Sequence, residues 1–553
     1  MKTGWLLVMS ACLAMGQESY DLVVYGGTAA GMATAVAGAR HGLKTVLLEP
    51  RDHIGGMVSG GLSGTDVGRI EVIGGMALEF YWRAGKHYEM DRHLQQLAWM
   101  PEPGAAESIM RQMLADAGVR VLFRHRLAEK RGVVKQGTRV AEIVMENGTR
   151  VKGKIFADCT YEGDLMAQAG VSYTFGREGV PQYGESLAGV LKFTRNHQFP
   201  MDIPARDEKG QLLPEVSAEP RGEPGSGDKR IQAYNFRVIA TTVEANKVPW
   251  PKPKNYDPKR YELLARYVPA LEVYLGRPAT FTDFTLMRTI PNGKVDVNNR
   301  GGFSSDYIGK NYKYPDGTYA EREKIWQEHV DYQQGLYYFL ANDPRLPAAL
   351  RTDAARWGLA KDEFPDTDHW PNQLYVREGR RMTGEFVATQ KDLQTERTKQ
   401  DAIGMGSYNS DSHNVQRHVS ETGIVLNEGN VEVPVQPYQI PYRVLLPRKA
   451  EAENLLVPVC FSASHVAYSS LRMEPQYMIL GHAAGVAAAL AAQRGVAVQE
   501  IPVDELQKTL LAEGAVFELG LEIQTKALAR IRNNFTPRQA TGGRVPWARQ
   551  ESK

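Results

Sequence analysis

The hydrophobic pattern near the start of the chain predicts two strands separated by one helix. Leu22–Tyr25 is a short apolar run, which is typical of a strand buried on both faces. Thr45–Leu48 is a second such run, and a glycine turn and a stretch of small helix-forming residues lie between the two. This order of strand, turn, helix and strand predicts a βαβ unit with parallel strands.

The pattern of apolar and polar positions also predicts elements along the rest of the chain. Two predicted strands flank Asn147-Gly148, a dipeptide that favours a tight hairpin turn. Pro200–Asp228 is rich in glycine and predicts an irregular, mobile surface segment. The predicted helices are Ala105–Ala117, Pro258–Tyr267, Ala320–Ala341 and Pro475–Arg494, and the predicted strands are Val119–Phe123, Arg139–Met145, Thr149–Asp158, Gly189–Phe193, Ile231–Thr241 and Asn454–Val459.

The glycine turn carries the first candidate chemistry. Gly26, Gly27 and Gly31 let the backbone approach a pyrophosphate, toward which the N–H groups at the helix start would point. Glu49 ends the second strand, close to the roughly 20 positions past the turn at which a carboxylate binds a ribose. Thr28 departs from the fingerprint, which has glycine at its third position. The pattern indicates dinucleotide binding, and an ordinary βαβ unit with a glycine turn is the alternative.

Length and charge narrow the class of protein. A chain of 553 residues is too long for one simple core, so two or three linked domains are expected. The 66 basic and 64 acidic residues give a net charge of +2, which offers no reason to expect nucleic acid or an anionic membrane as a partner. A hydrophobic content of 42% and a charged content of 24% are typical of a soluble globular protein.

The first sixteen residues resemble a secretory signal peptide. Lys2 precedes the apolar run Trp5–Met15, and Ala14-Met15-Gly16 fits the small-residue rule at a cleavage site. The run is too short for a stable membrane span, so a secreted or periplasmic location is expected. An N-terminal extension without a targeting role and a lipoprotein anchored at Cys12 are the alternatives. Removal of this segment would leave only Cys159 and Cys460, which form no disulfide framework.

Several longer motifs carry a resemblance to one family. The chain resembles the secreted bacterial FAD-dependent oxidoreductases often labelled xanthan-lyase-like, and more distantly the glutathione-reductase-like fold that includes fumarate reductase flavoproteins. The resemblance runs from Tyr20 to about Gly495 and implies FAD as the cofactor but no substrate. Its motifs are VVYGGTAAG, HIGGMVSGGL, DCTYEGD, LYVREGRRMTGEF, IGMGSYNSDSHNVQRH, VEVPVQPYQIPYR and ASHVAYSSLRMEPQYMILGHAAG.

The resemblance also implies a domain plan and a set of cofactor-binding residues. The expected class is α/β, a Rossmann-like, glutathione-reductase-like FAD-binding domain with an inserted α+β substrate or cap domain. The expected ranges are a signal peptide at 1–16, FAD-binding parts at 17–170 and 431–500, a substrate or cap domain at 171–430, and a C-terminal helix and tail at 501–553. The expected cofactor-binding residues are Gly26, Gly27, Thr28, Ala29, Ala30, Gly31, Glu49, Pro50, Arg51, Gly55, Gly56, Met57 and Glu474.

Two groups of these residues are expected at opposite ends of the cofactor. In flavoproteins of this fold a basic residue and a glycine doublet hold the adenine side of the cofactor. Arg51, Gly55 and Gly56 take these places here. An unrelated glycine-rich loop is the alternative. The helix start at Glu474 is the candidate for the pyrimidine end of the flavin, because a helix N-terminus supplies a positive field.

Hydride transfer also requires a proton partner and an anchor for the substrate. His465 follows a predicted strand end, where open α/β sheets bind ligands, and is the first candidate for the acid or base. His413 is the second, and Arg380 or its neighbour Arg381 is the candidate anion anchor. For each of them a structural role is the alternative. The sequence contains no C-x-x-C, H-E-x-x-H or G-x-S-x-G motif, so neither a metal site nor a serine hydrolase is expected.

The expected function is therefore hydride transfer between flavin N5 and a small organic or carbohydrate-derived substrate outside the cytoplasm. The direction of the reaction and the electron acceptor stay open. The alternative from another class is a polysaccharide lyase or carbohydrate-binding protein on a vestigial nucleotide-binding fold, and the intact unit from Gly26 to Glu49 argues against it.

Overall fold

The computed structural model describes residues 19–90 and 96–534. The predicted signal peptide at 1–16 lies outside the described residues, and so does the last part, 535–553, of the predicted C-terminal tail. The strands are β1 Ser19–Tyr25, β2 Thr45–Leu48, β3 Arg120–Leu122, β4 Val133–Gln136, β5 Arg139–Val144, β6 Arg150–Asp158, β7 Tyr173–Thr174, β8 Val238–Thr241, β9 Lys247–Pro249, β10 Thr285–Ile290, β11 Lys294–Asn299, β12 Gly358–Ala360, β13 Arg381–Met382, β14 Ala402–Gly406, β15 Ser410–Ser412, β16 Gln416–Val419, β17 Val425–Glu428, β18 Val431–Val433, β19 Tyr438–Pro441 and β20 Leu455–Leu456. The helices are α1 Ala29–Arg40, α2 Gly75–His87, α3 Pro103–Asp116, α4 Asp164–Gln168, α5 Val180–Tyr183, α6 Glu262–Leu275, α7 Tyr319–Asn342, α8 Ala348–Ala355, α9 Gln390–Gln394, α10 His465–Leu471, α11 Glu474–Arg494, α12 Val503–Ala512 and α13 Leu521–Asn534.

The larger sheet is mostly parallel, and the glycine turn lies at its carboxyl edge. Its strand order is β3-β2-β1-β6-β5-β4, and β20 pairs with the last residues of β6, where β5 no longer covers that strand. The strands β3, β2, β1, β6 and β20 are parallel, whereas β5 runs antiparallel to β6 across the predicted hairpin. Leu22, Val23 and Val24 are completely buried, as expected of a strand covered on both faces. The predicted βαβ unit and the Rossmann-like α/β class are confirmed.

Two helices of small residues, α1 and α11, pack closely beside this sheet. A Cβ atom at Gly481 would lie 2.3 Å from the carbonyl oxygen of Ala30, and one at Gly485 would lie 2.4 Å from that of Thr34. Larger side chains at either position would push the helices apart. This contact explains the alanine- and glycine-rich sequence of α11, and it fixes the first turns of α11 beside the start of α1.

The second sheet is antiparallel and comes from the middle of the chain. Its strand order is β10-β11-β8-β12-β9, within residues 238–360. Buried aromatic rings connect this region with α7, and they include Trp250, Tyr261, Phe281, Tyr332 and Tyr337. The sheet lies within the predicted substrate or cap domain, whose boundaries at 171 and 430 stay predictions.

Some predicted strands are shorter or missing. Gly189–Phe193 forms no strand, because Gly189 has a φ of 74° and Phe193 is 75% exposed rather than packed on a sheet. Of the predicted strand Ile231–Thr241 only β8 forms, and the predicted strand Asn454–Val459 is reduced to the two residues of β20. In the last two cases the apolar pattern reflects burial in irregular backbone.

The predicted helices have the right type but different ends. The first residues of the predicted helix Pro258–Tyr267 form a 3₁₀ turn, and α6 continues to Leu275 with Pro269 inside it. The segment Pro200–Asp228 is irregular as predicted. However, Ile203 and Leu213 within it are buried, so it is anchored to the body of the protein rather than lying wholly on the surface.

Over residues 19–90 and 96–534, no helix has both the length and the apolar character needed to cross a membrane.

Candidate active site

The turn between β1 and α1 directs backbone N–H groups toward the space above it. A Cβ atom at Gly31 would lie 1.8 Å from the carbonyl oxygen of Gly26, so the turn requires glycine there. Thr28 is the N-cap of α1: its hydroxyl accepts from the Gly31 N–H (3.2 Å) and donates to the Cys159 carbonyl (2.7 Å). The hydroxyl thus has a structural use that glycine could not supply. The N–H groups of Ala29 and Ala30 lie in the first turn, where no helical carbonyl can accept from them, which suits a pyrophosphate.

Glu49 lies beside this turn at the end of β2. Its carboxylate accepts from the N–H of Gly27 (2.6 Å) and from the N–H of Arg51 (2.7 Å). Burial raises the pKa of the Glu49 carboxyl to about 7, although both hydrogen bonds act in the opposite direction. Each carboxylate oxygen has a second lone pair, so the group can still accept hydrogen bonds from the hydroxyls of a ribose.

A cavity of about 640 Å³ opens next to Glu49. Pro50 and Arg51 line it together with Thr160 and Glu162 from the end of β6. The guanidinium carbon of Arg51 lies 3.8 Å from the centre of the Trp326 ring. The cavity has the size and the mixture of aromatic, cationic and acidic groups that suit the adenosine half of a dinucleotide.

Tyr161 connects the adenosine side with the start of α11. The Gly55 N–H donates to the Gly27 carbonyl (2.7 Å), and two residues later the Met57 N–H donates to the Tyr161 hydroxyl (2.9 Å). That hydroxyl in turn donates to Glu474 Oε1 (2.8 Å). A Cβ atom at Gly56 would lie 2.3 Å from the same hydroxyl. The predicted cofactor residues thus form one continuous track from Glu49 to Glu474.

The first turn of α11 holds buried polar atoms that lack partners. Glu474 Oε2 and both amide atoms of Gln476 have no hydrogen-bond partner within the described part of the chain. Burial raises the pKa of the Glu474 carboxyl to about 8, so the group is mostly protonated at neutral pH. Unpaired buried polar atoms cost free energy unless a ligand pairs with them. The pyrimidine edge of a flavin has both donors and acceptors, so these residues fit FAD.

His465, the first residue of α10, belongs to a buried charge cluster. Its Nδ1 atom lies 2.8 Å from Glu378 Oε2, and its Nε2 atom is buried without a partner among residues 19–90 and 96–534. Arg381 pairs with Glu378 and also donates to Glu178 Oε1 (2.5 Å). Burial alone would raise the pKa of Glu378, but the charges of His465 and Arg381 outweigh burial and hold it at about 2. Glu378 is therefore ionised and can orient the imidazole.

His413 belongs to a second cluster that is joined to the first. Its Nδ1 atom lies 2.7 Å from Asp306 Oδ2, and Arg377 Nη2 lies 3.0 Å from Asp306 Oδ1. Gln232 bridges the clusters, because its amide nitrogen donates to Glu378 Oε2 (2.8 Å) and its amide oxygen accepts from the backbone N–H of His413 (3.1 Å). The structure thus brings both predicted histidines into one hydrogen-bond network.

Arg380 is not part of this network. Its guanidinium donates to Asp164 Oδ1 (2.7 Å) and Asp316 Oδ1 (2.8 Å), and it also donates to the Glu162 carbonyl (3.1 Å). Arg380 therefore contacts Asp164 and Glu162, two residues that line the cavity next to Glu49. Its neighbour Arg381, the other candidate for the anion anchor, is the arginine that contacts Glu378.

Several residues of this site were not predicted as site residues from the sequence. Tyr161 and Glu378 lie inside the motifs DCTYEGD and LYVREGRRMTGEF, and an acid flanked by three arginines is a readable signal for buried ion pairs. Gln232 and Asp306 lie in irregular segments with no motif, so no sequence signal points to them.

A comparison with known protein families agrees with a flavin site. Residues 21–510 match the family model described as FAD dependent oxidoreductase. No protein of curated function matches the chain. Solved structures with some similarity include a flavin-containing monooxygenase from Stenotrophomonas maltophilia (17% identity, 30% of this chain and 44% of that one, TM-score 0.19). Another is the OxyS anhydrotetracycline hydroxylase from Streptomyces rimosus (13% identity, 34% and 43%, TM-score 0.22).

This chain spans less than half of each of these two proteins, so their activities are not transferred to it. The family match covers most of the sequence, and the residues around the first turns of α1 and α11 fit the cofactor. The chain belongs to the FAD dependent oxidoreductase family, and FAD is its cofactor.

Proposed function

We propose that this enzyme transfers hydride between flavin N5 and a small organic or carbohydrate-derived substrate, with His465 as the acid or base. The observation that carries the proposal is the unpartnered, buried Nε2 atom of His465, whose Nδ1 atom is held by the ionised carboxylate of Glu378. A histidine oriented by a carboxylate is a common arrangement for moving a proton at the opposite ring nitrogen.

The protein's own residues hold the cofactor and prepare the site. Glu49 and the first turn of α1 would bind the ribose and pyrophosphate, and the first turn of α11 would face the pyrimidine end. When bound, FAD supplies the hydride chemistry at N5. Glu474 keeps a proton on its buried carboxyl below about pH 8, so this residue would place no unpaired negative charge beside a bound flavin at neutral pH.

His465 would exchange the proton that accompanies hydride transfer. Donation from Nδ1–H to Glu378 leaves Nε2 as the basic nitrogen, which can accept a proton from a substrate hydroxyl. The negative charge of Glu378 then stabilises the imidazolium that forms. In the reverse direction the same Nε2–H would donate. Because the cluster is buried, water competes little for this nitrogen.

The test compares His465→Gln with wild-type enzyme by anaerobic mixing with panels of sugars, hydroxy acids and enoates. For a substrate that bleaches the oxidised flavin, or reoxidises the reduced one, His465→Gln should slow the change by about 10²- to 10⁴-fold and keep its FAD content. His329→Gln is the matched control, because His329 is a buried histidine whose Nδ1 lies against the Ile325 carbonyl instead of a carboxylate. Equal rates for His465→Gln and wild type would overturn the role of His465.

We also propose that residues 171–430 form the substrate domain. We further propose that the enzyme is exported, as its resemblance to secreted, xanthan-lyase-labelled members of the family suggests. Support for export comes from the pattern of residues 1–16. Expression of the full chain in a bacterial host, followed by mass spectrometry of the extracytoplasmic fraction, should find a mature protein that begins at residue 17. Recovery of uncleaved protein only from the cytoplasm would contradict export.

A further inference from the structure

Arg472 is a buried cation without a direct counterion. It is 2% exposed, and no ion pair of the described chain includes its guanidinium. Burial acts against the charge of Arg472, whereas Tyr375 and the more distant carboxylate of Asp411 favour it. Its Nη1 atom donates to the Tyr375 hydroxyl (3.0 Å) and its Nη2 atom donates to the Asp411 backbone carbonyl (2.7 Å). Its Nε–H has no hydrogen-bond partner among the residues that the structure describes. A buried charge is costly to leave unpaired, so an arginine in this state is prepared for an anion.

Arg377 adds a second guanidinium to the same place. The Arg377 and Arg472 guanidinium carbons lie 4.7 Å and 5.9 Å from the centre of the Tyr375 ring. Arg377 is 1% exposed, and its Nε–H also lacks a partner within residues 19–90 and 96–534. Asp306 is its ion-pair partner, at 3.0 Å. Burial lowers the pKa of Arg377, and the charge of Arg472 acts in the same direction, whereas Asp306 and Tyr375 act in the opposite direction.

The two arginines and His465 come from the same two neighbouring segments, 375–381 and 465–472. His465 and Arg472 are seven residues apart, so the geometry of α10 places them on one face about two turns from each other. The segment 375–381 runs beside this face, because Tyr375 contacts Arg472 while Glu378 contacts His465. Arg472 also lies two residues before Glu474, the first residue of α11.

We propose that Arg472 and Arg377 form a carboxylate-binding subsite, so that the substrate is a small organic acid or sugar acid. The inference rests on the proposed function, because it places this subsite beside the proton-transfer residue His465. Guanidinium groups bind carboxylates through paired N–H donors, and both Nε–H groups are available for such bonds. Charge-assisted hydrogen bonds would anchor the acid group while the carbon to be oxidised or reduced lies toward His465 and the flavin.

The experiment measures carboxylate binding to the FAD-loaded enzyme by isothermal titration calorimetry and needs no turnover. The probes are acetate and succinate, with acetamide and succinamide as uncharged counterparts. We expect wild-type enzyme to prefer the acids, and Arg472→Gln to weaken succinate binding by about 10- to 100-fold. Arg472→Lys keeps the charge but loses the planar fork, and it should bind succinate about tenfold more weakly. It serves as the second variant if Arg472→Gln does not retain FAD.

Arg417→Gln is the matched control. Arg417 is also buried and has no ion-pair partner among the described residues, but its donors are satisfied by Asn427 Oδ1 (3.0 Å) and the Gly302 carbonyl (2.9 Å). Its replacement should leave succinate binding unchanged. Equal affinities for acids and amides, or unchanged succinate binding in both Arg472 variants, would overturn the subsite.

A second measurement separates substrate binding from an effect on the flavin. If Arg472 served only the negative charge of reduced flavin, Arg472→Gln would lower the flavin reduction potential and leave succinate binding intact, which would also overturn the proposal. His465→Gln should bind succinate like wild type. Carboxylate binding without any flavin turnover would count against the proposed function alone, whereas turnover of neutral sugars without carboxylate binding would count against the subsite alone.

Discussion

At the scale of single residues, three buried glutamates show how neighbours set the charge of a carboxyl group. Burial raises the pKa of Glu49 to about 7 and that of Glu474 to about 8, whereas His465 and Arg381 hold the pKa of Glu378 at about 2 despite its burial. The residue type is the same in each case, and the partner decides the protonation state. Sequence patterns identified Glu49 and Glu474, but the ionised role of Glu378 depends on side chains 87 and 3 positions away.

The protonated state of Glu474 predicts a pH-dependent effect of Glu474→Gln. The folded-state pKa of about 8 lies above the ordinary value of 4.5, so between these pH values the folded enzyme binds a proton that the unfolded chain releases. The stability of wild-type enzyme should therefore fall as pH rises through this window, by up to about 1.4 kcal/mol per pH unit. Glu474→Gln has no carboxyl at this position, so its stability does not fall for this reason. The stability of Glu474→Gln relative to wild type should therefore increase from pH 5 to pH 8.

Denaturant unfolding of both FAD-loaded proteins at several pH values measures this difference. Glu522→Gln provides the control, because the Glu522 carboxyl is exposed on α13 and should add no slope between pH 5 and pH 8. Parallel pH profiles for Glu474→Gln and wild type would contradict a raised pKa at Glu474.

At the scale of elements, α1 and α11 form the frame of the candidate cofactor site. The sequence predicted both helices and the hairpin at Asn147-Gly148, because small-residue periodicity and turn chemistry are local signals. It did not predict the irregular course of Gly189–Phe193, where the exposed Phe193 shows that β propensity was overridden by the surrounding structure. Local patterns therefore identified the frame and failed where backbone course depends on distant contacts.

Gly481→Ala should separate the two helices of this frame. The added methyl group would lie 2.3 Å from the Ala30 carbonyl oxygen, and relief of this contact should cost about 1–3 kcal/mol of stability. Because Ala30 is in the first turn of α1, FAD affinity should fall as well. Thermal unfolding and a fluorescence titration with FAD measure the two effects. Gly520→Ala is the control, because its Cβ would lie 3.6 Å from the nearest atom, and it should change neither stability nor FAD affinity. A normal FAD affinity in Gly481→Ala would show that the contact relaxes without moving α1.

At the scale of the whole molecule, the site is assembled from segments that are distant in sequence. The sequence predicts His465 as a site residue because it follows a strand end, and His413 because polar residues cluster around it; both roles stay predictions. Gln232 and Asp306 could not be predicted, since their contacts arise only when irregular segments that are distant in sequence meet. The contacts of Lys294 on β11 could not be predicted either. Its side chain connects the second sheet with Glu102, the N-cap of α3.

Lys294→Met should destabilise the connection between these regions. The buried ammonium lies 2.6 Å from Glu102, 2.9 Å from Asp362 and 2.6 Å from Glu363. Its loss leaves these acids without a cation, so we expect about 3–5 kcal/mol of destabilisation at pH 7. The unpaired carboxyls would then have folded-state pKa values above their unfolded ones, and part of the stability should return as pH falls from 7 to 5.

Urea unfolding at both pH values measures the effect of Lys294→Met. Lys508→Met is the control, because the Lys508 side chain is 78% exposed and lies 3.6 Å from Asp504 on the surface of α12. Its stability should match wild type at both pH values. A loss for Lys294→Met that does not depend on pH would contradict the predicted uptake of protons by the acids.

The short strand β20 has a consequence for how the protein is made. It pairs with the end of β6, but it is synthesised much later. Leu455 in β20 leaves the ribosome roughly 300 residues after Asp158, the last residue of β6. At roughly 5–20 residues per second, the nascent chain exposes this apolar strand edge for about 15–60 s before its partner exists. Chaperones have that interval in which to bind, and cofactor loading must wait for α11, which follows β20. The holoenzyme can therefore mature only after nearly all of its chain has been synthesised.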